Sequence, residues 1–209
     1  MLNYFHKNYR PFIAFTSAIA LSLFVPLAVQ ALPQSGNFLT RLTPQEQTTL
    51  KAGDILLTGK NGHYTGHVLI TAPIDTTWNV LIDYDNFKNF LPGVVSSRIL
   101  ENHGNQTIFE QVNQIKILLF THTSRLVFTV FKQYPKQIDF ELKEGEIKSL
   151  KGFWKLEPIA LNQVLIAQDV TFDPGTSVTR DLAFTIYRNA LAESLKAIKQ
   201  ETERRVAQR

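Results

Sequence analysis

The chain has 209 residues, 44% hydrophobic and 19% charged, with ten Gly and nine Pro. This is room for one domain and a little more, and it excludes a disordered, fibrous or low-complexity protein. With no cysteine, disulfides, thiolate metal sites, iron–sulfur clusters and cysteine nucleophiles are excluded together.

The formal net charge of +4 is unevenly placed, because no acidic residue precedes Glu46. Lys7 and Arg10 form a basic start, and residues 11–29 are uncharged and mostly apolar. Pro26 and the small residues Val29 and Ala31 follow the pattern of a signal-peptidase site. Residues 1–31 are therefore expected to be a secretory signal peptide. The alternative is an uncleaved anchor, since nineteen helical residues span roughly 28 Å, about one hydrocarbon core. Either reading places the remainder outside the cytoplasm: in a periplasm, a thylakoid lumen or the extracellular space. Without Lys7 and Arg10 the net charge falls to +2, which gives no support for a nucleic-acid partner.

Residues 32–53 read as a polar lead-in with one helical turn after Pro44. The domain proper is expected over residues 54–209. It opens with two strand-like runs, Asp54–Thr58 and His63–Thr71, joined through Asn61-Gly62, a strong hairpin signal because primed turns need positive φ. Pro73 and Asp75 then mark a helix start, and Ile74, Trp78, Leu81 and Ile82 share one helical face. A second short helix is expected over 86–90, before Pro92-Gly93.

From Val94 the period changes to two. Strands are predicted over 94–102, 106–117, 121–133, 137–143, 148–158 and 164–172, separated by short turns such as His103-Gly104-Asn105. Connections this short imply an antiparallel meander with one apolar and one wet face. Ile138, Phe140 and Leu142 oppose Asp139, Glu141 and Lys143; Ile166, Gln168, Val170 and Phe172 oppose Asp169 and Thr171. A final long helix, capped near Ser177 or Thr179, carries the stripe Leu182, Ile186, Ala190, Leu191, Leu195 and Ile198. The expected class is α+β: a curved antiparallel sheet of six to seven strands around a long C-terminal helix, with a cavity between them.

Known catalytic signatures are missing. There is no G-x-S-x-G, H-E-x-x-H, Walker or dinucleotide motif. His63 and His67 have zinc-like spacing but fall on a strand without a third ligand, and His103 and His122 read as ordinary polar residues. Asp83 and Asp85 read as caps at a helix–helix junction. No metal site and no cofactor are expected. Glu110 and Gln168 are placed inward among apolar neighbours, where a ligand's polar head is one available partner and each other, water or backbone are the rest. Phe90, Phe109, Phe128, Phe140, Trp154, Phe172, Phe184 and Tyr187 belong to segments facing the space between sheet and helix, a description that suits a core or a small-molecule site.

The run Trp78-x-x-Leu81-x-Asp83-Tyr84-x-x-Phe87-x-x-Phe90-Leu91-Pro92, followed by Ser97-Arg98-Ile99-Leu100-Glu101, resembles the coenzyme-Q-binding START-like proteins of the polyketide cyclase/dehydrase and lipid-transport (helix-grip) superfamily. Phe120-x-x-x-Ser124-Arg125, Ile138-x-Phe140-x-Leu142-x-Glu144-Gly145 and Leu150-x-Gly152-x-Trp154-x-Leu156-x-Pro158 extend the resemblance. It implies the helix-grip fold and a deep cavity holding a lipid, isoprenoid quinone or polycyclic molecule, with Phe90, Leu91 and Pro92 helping to close its mouth. It also implies transient contact with a membrane surface. The export signal and the hairpin strand Asp54–Thr58 depart from the quinone-binding pattern, and together resemble an exported version in photosynthetic bacteria. Two functions follow: a non-enzymatic carrier of an apolar molecule, or a cyclase/dehydrase-type enzyme with Glu110 or a neighbour as acid–base group.

Overall fold

A computed structural model describes residues 38–117, 120–175 and 179–208. The expected signal segment lies outside the described residues. The order is α1 (Pro44–Lys51), β1 (Leu56–Lys60), β2 (His63–Ile70), α2 (Ile74–Leu81), α3 (Phe87–Phe90), β3 (Val94–His103), β4 (Gln106–Ile117), β5 (Phe120–Gln133), β6 (Gln137–Gly145), β7 (Ser149–Ala160), β8 (Gln163–Asp173) and α4 (Arg180–Ala207). This is the α+β class read from the period changes.

All strands join one antiparallel sheet in the order β1-β2-β8-β7-β6-β5-β4-β3. The sheet has eight strands where six to seven were expected, because the β1–β2 hairpin is continuous with it: β2 pairs with β8 from His63↔Thr171 to Ile70↔Val164. Asn61 (φ 55°) and Gly62 (φ 88°) form the turn that joins them, as Asn-Gly requires. At Pro73 the structure differs slightly: the proline is the N-cap of α2 and not its first helical residue.

Helix α4 lies against the inner face of the sheet at one side only. Leu191, Leu195 and Ile198 are buried in the core with Tyr64, Val68 and Val170. The helix comes close because β2 presents Gly66, where a Cβ would sit 2.6 Å from Leu195 Cδ1. Toward β4–β6 the sheet curls away from the helix, and a space opens between them.

The opposite face of the sheet carries a second, smaller core. Leu39, Leu50, Leu69 and Leu165 cluster there with Phe38, Leu42 and Leu56. The lead-in thus forms a 3-10 turn (Phe38–Arg41) and the eight-residue helix α1, which cover the back of the sheet, more order than the single turn expected. Its helix is fixed by a capping box: the Glu46 backbone N–H donates to Thr43 Oγ1 at 3.3 Å, and the Thr43 N–H donates to Glu46 Oε2 at 2.8 Å. His67 is buried in this layer, stacked on Phe38 at 4.5 Å between ring centroids.

Candidate functional site

The space between sheet and α4 is a cavity of about 720 Å³. Strand parity builds most of its wall. Phe109 and Gln111 of β4, Leu126 and Phe128 of β5, and Ile138 and Phe140 of β6 alternate inward. Trp154 of β7 and Gln168 and Phe172 of β8 continue the wall. Helix α4 supplies the roof through Ala183, Ile186, Tyr187, Ala190 and Leu191. Of the expected apolar stripe, Leu195 packs into the core alone, whereas Leu182, Ile186, Ala190, Leu191 and Ile198 all border the cavity.

One wall is a ladder of rings, each from a successive element. Tyr84 stacks on Phe109 at 4.3 Å, Phe109 on Phe128 at 5.3 Å, and Phe128 meets Phe140 edge-on at 6.5 Å. Opposite, Phe172 stacks on Tyr187 at 4.3 Å. Offset and edge-to-face pairs of this kind add stability beyond the area they bury, so the wall keeps its shape without a filler.

Polar lining groups gather at one end, where β4 and β5 approach their hairpin. Asn113, His122, Ser124 and Glu146 lie there, and His122 Nε2 is 3.1 Å from Glu146 Oε2 with both side chains about half exposed. Pro92 and Gly93 border the same end, tied down where the Gln114 N–H donates to the Gly93 carbonyl at 2.7 Å. This is the open end of the cavity. Its interior carries two buried polar side chains, Tyr84 and Gln168, whose hydroxyl and Oε1 have no hydrogen-bond partner. Burial pushes the pKa of both Tyr84 and Tyr187 above the ordinary phenol value, so each stays a neutral hydroxyl.

A family model described as polyketide cyclase/dehydrase and lipid transport matches residues 70–199. The chain belongs to this family. Similar solved structures include the Zhui aromatase/cyclase from Streptomyces sp. R1128, at TM-score 0.61 and 18% identity, covering 69% of this chain and 94% of that one. A STAR-related lipid transfer protein fragment from Xanthomonas axonopodis has TM-score 0.57 and 21% identity over 71% of this chain and 92% of its own. A START superfamily protein from Mycobacterium smegmatis has TM-score 0.59 and 15% identity over 68% and 97%. At these identities the likeness is one of fold, and it is the helix-grip fold. No curated protein matches the sequence significantly.

In this member of the polyketide cyclase/dehydrase and lipid-transport family, nine candidate residues line the cavity. They are Leu91 and Pro92; Phe109, Phe128 and Phe140; and Trp154, Gln168, Phe172 and Tyr187. Three others do not. Glu110 points to the outer face, since Phe109 and Gln111 on either side of it point inward. There it accepts hydrogen bonds from Arg98 Nε, at 3.0 Å, and from Arg125 Nε. The hydrogen bond from Arg125, helped by that from Arg98, holds its carboxyl below the usual carboxylate range, and the residue is not part of the cavity lining. Phe90 turns away from the cavity to a polar cleft, under the guanidinium of Arg205 at 5.8 Å. Phe184, about 100° round the helix from Ala183, packs edge-on against Phe172 and under Arg180.

The aspartates at the helix junction do more than cap. Asp83 Oδ2 accepts from Arg205 Nη2 at 2.6 Å, and Asp85 Oδ1 accepts from the Ile99 N–H at 2.7 Å. They tie the α2–α3 segment to α4 and to edge strand β3. Tyr84, Gln111, Asn113, His122 and Ser124 escaped the sequence reading. Parity would have found the last four: Gln111 and Asn113 lie two and four residues from Phe109, and Ser124 and His122 four and six from Phe128. Tyr84 sits in a 3-10 turn, where no period marks it.

Proposed function

We propose that this protein binds and carries a hydrophobic small molecule, such as a lipid or isoprenoid quinone, in the cavity between the sheet and α4, without chemical change to it. The observation that carries this is the 720 Å³ aromatic-walled space, within the range of ligand sites and enclosed by rings packed on one another. The carboxylate in its lining, Glu146, is half exposed and paired with His122. Phe120, 77% exposed at the start of β5, and Leu182, 44% exposed, stand near the open end of the cavity and support exchange by brief contact with a membrane surface. The reading of residues 1–31 as an export signal supports placing this exchange outside the cytoplasm.

The second reading is a cyclase/dehydrase-type enzyme on a polyketide-like or isoprenoid substrate. The His122–Glu146 pair at 3.1 Å favours it, as an acid–base couple positioned at a cavity mouth. Native mass spectrometry of the protein purified from its own membranes, followed by extraction of the bound molecule, tests the carrier reading. The expected result is an apolar molecule recovered intact. Recovery of none, or turnover of a substrate that is lost in His122→Ala, overturns it.

A further inference from the structure

The inner faces of β4 and β5 change character along their length. Phe109 and Phe128, partners in register, are buried rings of the ladder. Toward the hairpin, the next pairs of the same parity are Gln111↔Leu126, Asn113↔Ser124 and Ile115↔His122. Gln111, Asn113, Ser124 and His122 all border the cavity. At about 3.3 Å per residue, Asn113 lies roughly 13 Å along the strand from Phe109. Burial falls over the same distance: the two rings are buried, Asn113 and Ser124 are half-buried, and His122 is exposed.

These polar side chains form one band. Gln111 Nε2 donates to Asn113 Oδ1 at 2.7 Å, Asn113 faces Ser124 across the strand pair, and His122 Nε2 is 3.1 Å from Glu146 Oε2. Amides and a hydroxyl both donate and accept, so the band suits an alcohol, a carbonyl or an amide alike. Charge is where it discriminates. The whole chain has more basic than acidic residues, yet among the described residues no Lys or Arg borders the cavity, and the charged carboxylate that does is Glu146. The cations flanking the lining are turned to other partners. Arg125, next to Ser124, reaches Glu110 and Glu144. Lys148, next to Ile147, and Arg180, two residues before Leu182, are both held by Asp173. An anion entering this band would give up water and meet a carboxylate in place of a counter-charge, which is costly.

Deepening the carrier reading, on which this rests, we infer that the band of Gln111, Asn113, Ser124, His122 and Glu146 is a head-group site that takes amphipathic molecules whose head forms hydrogen bonds and carries no negative charge. The tail runs inward along the ring ladder and the head stays at the half-buried band. Isoprenoid alcohols, quinones and other uncharged amphiphiles suit this arrangement. Fatty-acid anions and lipid phosphates do not.

Three probes share one carbon skeleton: farnesol (uncharged head), farnesyl phosphate (anionic head) and farnesene (no head). Each is titrated against an apolar fluorescent dye held in the cavity of the full chain. Farnesol is expected to bind about threefold or more tighter than farnesene, the yield of roughly one net hydrogen bond. It is also expected to bind at least about tenfold tighter than farnesyl phosphate, whose charge finds no partner. Asn113→Leu combined with Ser124→Ala is expected to remove the preference for farnesol over farnesene, and displacement by farnesene shows that the cavity of this variant is formed. Glu146→Lys, which replaces the repelling charge with an attracting one, is expected to tighten farnesyl phosphate by about tenfold. Three results overturn the head-group site but leave the carrier reading standing: farnesyl phosphate binding the parent as tightly as farnesol, a double variant that keeps the preference, or a Glu146→Lys protein with the parent's affinity for the phosphate. Failure of every probe to displace the dye overturns both.

Discussion

Gly66 is the point at which α4 meets the sheet, and replacing it tests whether that contact sets the height of the cavity roof. An alanine Cβ there would lie 2.6 Å from Leu195 Cδ1 and 3.6 Å from Leu57 Cδ1. Leu195 is fully buried, so its side chain cannot turn aside without disturbing the core. In an unconstrained strand, Gly→Ala stabilises by roughly 0.5–1 kcal/mol. Crowding a packed core typically costs about 1–3 kcal/mol. The two effects oppose, and the short contact lets the second prevail: Gly66→Ala is expected to destabilise by about 1 kcal/mol, a loss of roughly 2–4 °C in melting temperature for a protein this size. Leu195→Ala alone should cost about 2–5 kcal/mol. In the double variant the new methyl enters the space left by the leucine, so the combined loss should fall short of the sum by at least about 1 kcal/mol. Urea unfolding with linear extrapolation measures all four corners of this cycle. An additive cycle, or a Gly66→Ala protein as stable as the parent, would refute the idea that the glycine sets the helix height.

Ala190→Trp, which places a large side chain in the cavity roof, is expected to abolish dye binding with little loss in melting temperature, because the cavity has room for the indole; a solid core would lose about 1–3 kcal/mol in urea unfolding instead. Glu110→Gln should leave dye binding unchanged, since the side chain faces the outer surface between Arg98 and Arg125. Its native carboxyl lies below the usual value of 4.5, so the parent's advantage in stability should be present above pH 4.5 and disappear as acid titrates the paired carboxylate, which melting curves from pH 3 to 7 will show. His67 is the opposite sort of group. Burial lowers its pKa from 6.5, so the unfolded chain takes up the proton first and stability should fall as pH drops below 6.5. His67→Phe retains the stack on Phe38 and should lack that part of the slope; a variant with the parent's pH profile would show that the imidazole takes up its proton equally in the folded and unfolded states.

How far the sequence could be read depended on how one-sided each pattern was. β8 carries Ile166, Val170 and Phe172 at the same parity as Gln168, with Asp169 and Thr171 between them, so the facing of the glutamine is unambiguous. β4 has Ile108 and Val112 on one parity and Phe109 and Ile115 on the other. Nothing in such a strand says which face is inner, and treating Phe109 and Glu110 as both inward was incompatible with alternation. The pairs that decide it lie across the sheet, at Arg98 and Arg125. The lead-in was obscure for another reason. Its helix, with Leu50 as the buried residue, shows no apolar stripe, and its order comes from the capping box and from leucines on the back of β2 and β8. Tyr84 stood in the family run but was not assigned to the cavity, because a single 3-10 turn has too few residues to display a period.

The pairing of β2 with β8 joins the first long strand of the domain to its last, through partners 94 to 108 positions apart in sequence. Contacts so distant in sequence form late, since the entropy of closing the loop must be overcome before they contribute. The meander from β3 to β7 can assemble from neighbours, but the wall holding Gln168 and the roof on α4 both wait for the C-terminal third of the chain. The cavity is complete only once β8 and α4 have joined the sheet. A product truncated before Gln163 lacks the β8 wall and the α4 roof, so retention of an apolar dye reports complete closure of the sheet.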